Sequence, residues 1–361
     1  VLRYDTNQLA SNNPIEDRHQ EWSLPLASPA PSESLLNGLG RWLMFSVFDG
    51  HAGYQCADKV AQSLPDHTQR ALTWSLNSEK EKHPEAPANA TRVAHHTLTN
   101  SFVTMDEELL EGSLQNVINN PTQAREMLLP AVAGACGLVA CIDSETRQLS
   151  VASAGDSRAV LGSLNGTTGE WTATPLNDDH TADNPAERQR LIDEHPGEAK
   201  TVISRGRVLG SLMPTRAFGD ARYKWSEQIQ AQLFPTQFPG RRATPKHYQT
   251  PPYVTAHPEV SHRNLTPSDK FIVVASDGLY DELSNKEIVQ AVAEFWESRI
   301  YNNPDPKLTK AHSIPDDNAA THLIRRAYGG DNPKIISRLL AIPSPKSRSY
   351  RDDITVTIVF L

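Results

Sequence analysis

Three apolar runs, at residues 43–48, 271–275 and 354–360, have the length of buried strands. Aspartates stand just outside them, in Phe48-Asp49-Gly50-His51, Ser276-Asp277-Gly278 and Arg351-Asp352-Asp353. Shorter apolar runs at 138–142, 149–154 and 159–163, broken by Asp-Ser, Gly-Asp and Gly turns, predict an antiparallel meander. Helical patterning covers 54–64, 186–195 and 319–328, and Ser284 with Glu287 forms a capping-box start for a helix reaching about Trp296. Pro, Ser and Gly mark 25–40 as a loop, and 77–90 reads as a polar surface excursion. Residues 223–252 read as a long loop or insertion, and 300–318 and 331–350 as further loops. Short strands with turn signals, interrupted by helices, predict an α+β protein rather than an alternating βαβ one. No interval reads as a boundary, so one domain is expected across 1–361, with loop insertions near 223–252 and 300–318.

Composition narrows the classes. A content of 38% hydrophobic residues supports a packed core, and 22% charged residues is ordinary for a globular chain. The formal net charge of −8 argues against nucleic acid or an anionic membrane as the main partner, since both reward basic surfaces. No apolar run approaches the ~20 residues of a membrane helix. Three scattered cysteines, Cys56, Cys136 and Cys141, are too few for a disulfide framework and suit a reducing compartment. The chain begins at Val1 with no apolar or Arg-rich leader, which reads as a processed or trimmed form and leaves localisation illegible here.

Carboxylates at neighbouring strand ends repel one another unless a cation sits among them. Oxygen ligands without a cysteine cluster favour a hard divalent ion, Mg²⁺ or Mn²⁺. Such sites suit phosphate esters, whose negative charge turns away a nucleophile. Two ions about 3.5–4 Å apart acidify a shared water, cancel phosphoryl charge and hold the displacement in line. Asp49 is placed to bridge such a pair, its turn also exposing the Gly50 carbonyl, with Asp277 and Asp352 on one ion and Glu16 on the other. His51, with an ordinary pKa near ~6.5, is matched to protonating a departing serine or threonine oxygen. Each motif alone has a bland reading: Asp-Gly as a turn, His51 as a cap, Glu16-Asp17 as a solvated pair, Asp352-Asp353 as an edge charge. Their recurrence at strand ends favours the shared chemistry.

The ordered set Ile15-Glu16-Asp17-Arg18, Val47-Phe48-Asp49-Gly50-His51-Ala52-Gly53, Ala154-Gly155-Asp156-Ser157-Arg158, Arg216-Ala217-Phe218-Gly219-Asp220, Ser276-Asp277-Gly278 with Asp281, and Arg351-Asp352-Asp353-Ile354-Thr355 resembles the metal-dependent type 2C serine/threonine protein phosphatases. The motifs keep the family's order and span nearly the whole chain. The resemblance implies a central β-sandwich of two antiparallel sheets flanked by α-helices, with a metal pair at one end. It implies Asp49, Asp277 and Asp352 on one metal, and Glu16, Asp49 and the Gly50 carbonyl on the other. Asp17 would hold metal waters, His51 would be the general acid, and Asp156 with Asp277 and Asp281 would form a looser third site. Gly-Asp-Ser-Arg also reads as a tight hairpin turn in which Arg158 pairs with Asp156. Asp5-Thr6-Asn7-Gln8-Leu9, Asn177-Asp178-Asp179-His180, the stretch from Leu209 to Asp220, and Ala319-Ala320-Thr321-His322-Leu323-Ile324-Arg325 are most similar to the pyruvate dehydrogenase phosphatases. That likeness implies a mitochondrial matrix enzyme that activates the pyruvate dehydrogenase complex, docking to a lipoyl domain and working with a regulatory subunit. A type 2C phosphatase with another phosphoprotein substrate is the alternative. An inactive binding relative is disfavoured, because every metal carboxylate position is filled.

Two positions depart from the family pattern. Asn12 stands where many members carry a phosphate-binding arginine, so phosphate binding is expected to be weaker unless another cation compensates. Cys136 replaces a small hydroxyl residue and reads as a core thiol or a redox-sensitive one.

Overall fold

The computed structural model describes residues 1–25, 40–83, 89–119, 123–240, 244–299, 316–330 and 332–361. In chain order they form β1 (Arg3–Leu9), β2 (Arg18–Pro25), β3 (Arg41–His51), α1 (Gln55–Lys82), α2 (Ala90–Glu107), α3 (Ser113–Asn119), α4 (Ala124–Val132), β4 (Gly134–Asp143), β5 (Gln148–Ala154), β6 (Arg158–Leu164) and β7 (Trp171–Pro175). Then come α5 (Pro185–Glu194), β8 (Ile203–Ser204), β9 (Arg207–Val208), β10 (Phe218–Gly219), α6 (Ala221–Lys224), α7 (Glu227–Gln237), β11 (Glu259–Asn264), β12 (Asp269–Ala275), α8 (Asp277–Tyr280), α9 (Asn285–Arg299), α10 (Ala319–Ala327), α11 (Pro333–Leu340) and β13 (Ile354–Phe360).

Two antiparallel sheets face each other, one ordered β1-β13-β12-β6-β7 and the other β11-β5-β4-β3-β2, with β10 pairing the start of β4. The central strands, such as β4, β12 and β13, read as largely apolar runs because both of their faces are covered. On β3, Met44 and Phe48 pack under α1 and α2, whereas Phe45 and Val47 meet Ile272, Val274 and Val359 of the opposite sheet. On β12, Phe271, Val273 and Ala275 pack against α9 and α10. The result is helix, sheet, sheet, helix, as the α+β sandwich reading expected.

Several loop expectations are corrected. Helix α1 does not stop near Leu64 but runs through Pro65 to Lys82, so 77–82 is helix rather than surface excursion. Proline removes one internal hydrogen bond there, yet Ala71, Leu72, Ser75 and Glu79 keep the buried stripe going against α2. Within 223–252, α7 docks Phe234 and Phe238 on Leu128, Ala131 and Val132 of α4. Within 331–350, Asn332 caps α11 and residues Lys346–Ser349 form a 3₁₀ turn. The expected loop at 25–40 falls at 26–39 outside the described residues, as does 300–315 of the expected insertion at 300–318.

A buried ion-pair cluster fastens the segment leading to β10. Glu187 on α5 accepts hydrogen bonds from Arg216 Nη2 at 2.6 Å, Arg190 Nη2 at 2.8 Å and Thr215 Oγ1 at 2.6 Å. Burial alone would raise its pKa, but these donors outweigh burial and hold the carboxyl well below its ordinary range. Glu187→Gln is expected to destabilise the fold by about 3–5 kcal/mol at pH 7, by leaving two arginines without their buried partner. A depressed carboxylate stabilises only while it stays ionised in the folded state. The deficit should therefore be full above the ordinary value of ~4.3 and shrink as pH falls below it. Urea unfolding of both proteins at pH 7 and pH 4 checks this.

Candidate metal and catalytic site

Both sheets end at the same edge, and the aspartates follow from where the strands stop. Asp49 sits near the end of β3 in register with Cys136 of β4, Asp156 lies in the turn after β5, and Asp277 opens α8 directly after β12. One carboxylate oxygen from each of Asp49, Asp156 and Asp277 lies within 4.8 Å of the others. Gly50 lets this end of β3 close on the Glu16 segment, since a Cβ at position 50 would lie 2.3 Å from the Glu16 carbonyl oxygen.

The remaining expected residues surround this trio. Asp17 is buried; its Oδ2 accepts from Ser276 Oγ and Thr355 Oγ1, both at 2.8 Å, while its Oδ1 has no hydrogen-bond partner. Glu16 is partly exposed, and Asp281 is exposed after α8; neither belongs to the tight trio. Asp352 also lies outside it: its Oδ1 accepts from the Asp353 amide at 2.7 Å, and its Oδ2 pairs with Arg348. Arg158 bonds Asp179 at 2.6 Å rather than Asp156, so the hairpin-pair reading of Gly-Asp-Ser-Arg does not hold.

Withdrawal from water, then repulsion from Asp277, Asp17 and Asp156, pushes the Asp49 carboxyl well above its usual range. Burial and then Asp156 and Asp352 do the same to Asp277. Asp17 is pushed up to about 7 by burial, against the two hydroxyl donors that favour its charged form. Burial likewise raises Asp156, Glu16 and Asp281. Such a cluster ionises together only if a cation offsets its charge. The all-oxygen donor set and the unpartnered Asp17 Oδ1 fit a hard divalent ion.

Sequence reasoning passed over two residues here. Asp353 is buried and gathers the turn before β2, accepting from the Ser11 amide at 2.5 Å, the Asn12 amide at 2.9 Å, Asn12 Nδ2 at 3.0 Å and the Glu16 amide at 2.9 Å. The Asn12 side chain is thus a strut of this turn. Asp220 is the second. β4 begins at Gly134, paired on one side with His51 and on the other with Gly219, which carries the next residue, Asp220, across to the imidazole. His51 Nε2 lies 2.8 Å from Asp220 Oδ2. Gly134 makes room, since a Cβ there would lie 2.1 Å from His51 Nε2 and 2.5 Å from Asp220 Oδ2. Burial opposes the charged imidazole, but Asp220, Asp156 and Glu16 outweigh it and raise the His51 pKa. A signal was present in the Phe-Gly-Asp end of the 216–220 motif, but only the β10–β4 pairing says what that aspartate faces. Cys136 is more than a core thiol: its Sγ donates to Asp156 Oδ1 at 3.1 Å, and burial with the nearby aspartates pushes the thiol pKa well up.

The Protein phosphatase 2C family profile matches residues 13–327. The chain belongs to the protein phosphatase 2C family. A protein phosphatase 2C homolog of Schizosaccharomyces pombe is 38% identical over 376 residues, covering 100% of this chain and 80% of that protein. The human mitochondrial [pyruvate dehydrogenase [acetyl-transferring]]-phosphatase 2 is 36% identical over 428 residues, covering 100% of this chain and 78% of its own. The crystal structure of a serine-threonine phosphatase 2C from Toxoplasma gondii superposes with a TM-score of 0.58 at 18% identity, covering 99% of this chain and 93% of that one, which supports the shared fold. The phosphatase is therefore a hydrolase acting on phosphoserine or phosphothreonine of proteins, in a metal-dependent family, and carries an aspartate cluster able to hold metal. No helix among its described residues is long and apolar enough to cross a membrane.

Proposed function

We propose that the phosphatase dephosphorylates pyruvate dehydrogenase in the mitochondrial matrix, using two Mg²⁺ or Mn²⁺ ions held by Asp49, the Gly50 carbonyl, Glu16, Asp277 and Asp352, with Asp17 holding their waters and Asp156 and Asp281 serving a third ion. The site reading rests on one observation, the convergence of Asp49, Asp156 and Asp277 within 4.8 Å beside an orphaned Asp17 oxygen. The substrate reading rests on the name of the human relative, 36% identical across the whole chain. When bound, the ions neutralise phosphoryl charge and acidify water. The chain's own residues then do the rest. Asp353 fixes the turn that presents Glu16 and Asp17. Asp220 orients the His51 ring and favours its protonated form, so that His51 gives a proton to the departing serine oxygen.

The test is hydrolysis of phosphorylated pyruvate dehydrogenase against an unrelated phosphoprotein, with metal stripped by EDTA and restored. Activity should vanish with EDTA and return with Mg²⁺ or Mn²⁺ but not Zn²⁺, with preference for pyruvate dehydrogenase. Restoration by Zn²⁺ alone would overturn the metal assignment, and equal rates on both proteins would overturn the substrate assignment.

A further inference from the structure

Beside any ions held within the acidic cluster, a fixed cation at its rim would favour the arrival of a phosphate dianion. Among the groups acting most strongly on the cluster's carboxylates, two are cationic, His51 and Arg348. His51 is engaged by Asp220. Arg348 stands apart from any motif identified in the sequence. Its side chain is 51% exposed, and it pairs with Asp352 through Nη1. The guanidinium sits against Asp352, its charge also acts on Asp277, Asp353, Glu16 and Asp281, and of these Asp281 is exposed and Glu16 partly exposed.

The backbone that carries it is pinned. Ser347 is buried and donates through Oγ to the Ser11 carbonyl at 2.5 Å. The Arg351 side chain donates to the carbonyls of Ala10, Leu339 and Ile342. The Lys346–Ser349 turn is thereby fastened to the same 10–12 segment that Asp353 holds. An arginine on a fixed turn, with Nη1 on a carboxylate and half of its side chain exposed, keeps further donors of its five-donor fork for a second anion, and that fork suits a phosphate dianion.

We propose that Arg348 binds the phosphate group of the substrate at the rim of the cluster, bridging Asp352 and the phosphomonoester. The inference rests on the phosphomonoester hydrolase reading and adds a binding residue to it. Arg348 then contributes to binding rather than to the bond-breaking step, and the product, inorganic phosphate, uses the same contact.

Arg348→Ala and Arg348→Lys are compared with the wild-type protein, all loaded with Mn²⁺, on a phosphoserine peptide, with inorganic phosphate as inhibitor and as calorimetric titrant. Loss of a charge-assisted contact of this kind corresponds to roughly 10-fold to 100-fold. KM for the peptide and the inhibition and dissociation constants for inorganic phosphate should all rise by that range in Arg348→Ala. The kcat and the Mn²⁺ concentration for half-activation should stay within a few-fold. Arg348→Lys should fall between, and it carries the test if the alanine variant fails to fold. Unchanged KM and unchanged phosphate affinity would overturn the proposal. A shift confined to the Mn²⁺ requirement would also overturn it, by assigning Arg348 to positioning Asp352. A wild-type protein that binds inorganic phosphate through Arg348 yet hydrolyses no phosphopeptide would count against the hydrolase reading and leave the arginine contact standing.

Discussion

Asp49→Asn is expected to cost roughly 10³-fold or more in kcat on any phosphoserine substrate, the equivalent of several kcal/mol of lost charge stabilisation. Asp49 shares the tight trio with Asp156 and Asp277 and is repelled by Asp277, Asp17, Asp156 and Asp352. The same substitution is expected to stabilise the metal-stripped protein. Repulsion and burial raise the folded-state pKa of Asp49. A carboxyl raised on folding contributes favourably below the ordinary value of ~3.9 and loses that contribution as pH climbs through its raised value. In EDTA the wild type should therefore melt at lower temperature as pH rises through that window, and Asp49→Asn should melt higher and depend less on pH. Saturating Mn²⁺ should remove or reverse the difference. A variant that is less stable than wild type in EDTA would show that the cluster is held together without cations.

The second large effect belongs to His51. His51→Ala is expected to lower kcat by roughly 10²–10⁴-fold on a phosphoserine peptide, because a serine alkoxide leaves poorly without a proton. With an aryl phosphate, whose leaving group needs no proton, the loss should be much smaller. Asp220→Asn should show the same substrate dependence in weaker form, since it keeps the ring's neighbour but removes the charge that favours the imidazolium. Equal losses on both substrates would remove His51 from the proton-donating role and reduce Asp220 to a packing residue. The comparison separates proton donation from metal binding, because damage to the cluster would slow both substrates alike.

Much of the site was legible because its residues lie where apolar runs stop. A strand buried on both faces leaves little choice but an uninterrupted hydrophobic run, and the first polar residue beyond it stands at the sheet's edge. Asp49, Asp277 and Asp352 stood out for that reason. Asp353 was visible in the same motif, but its part in holding Ser11, Asn12 and Glu16 depends on hydrogen bonds spanning more than 330 residues. No local pattern encodes them. Arg348 was hidden more completely, in a Pro-, Ser- and Lys-containing stretch that reads as loop and becomes a pinned turn only through Ser347 and Arg351.

The helices tell the same story. Pro65 gave a sound local reason to end α1, and an isolated peptide would heed it. In the folded chain the stripe from Val60 through Ala71 and Leu72 to Ser75 buries against α2 and carries the helix past the missing hydrogen bond. Likewise α7 looked like loop until Phe234 and Phe238 met α4.

By itself the sequence determined the strand-rich α+β class, the buried strands and the acidic residues at their ends, because hydrophobic periodicity and turn chemistry act over a few neighbouring residues. Tertiary structure alone decided that Asp156 joins Asp49 and Asp277 and that Asp220 meets His51 over Gly134. Those contacts depend on how two sheets stack and where their edges coincide, and that arrangement is set by packing between segments more than a hundred residues apart.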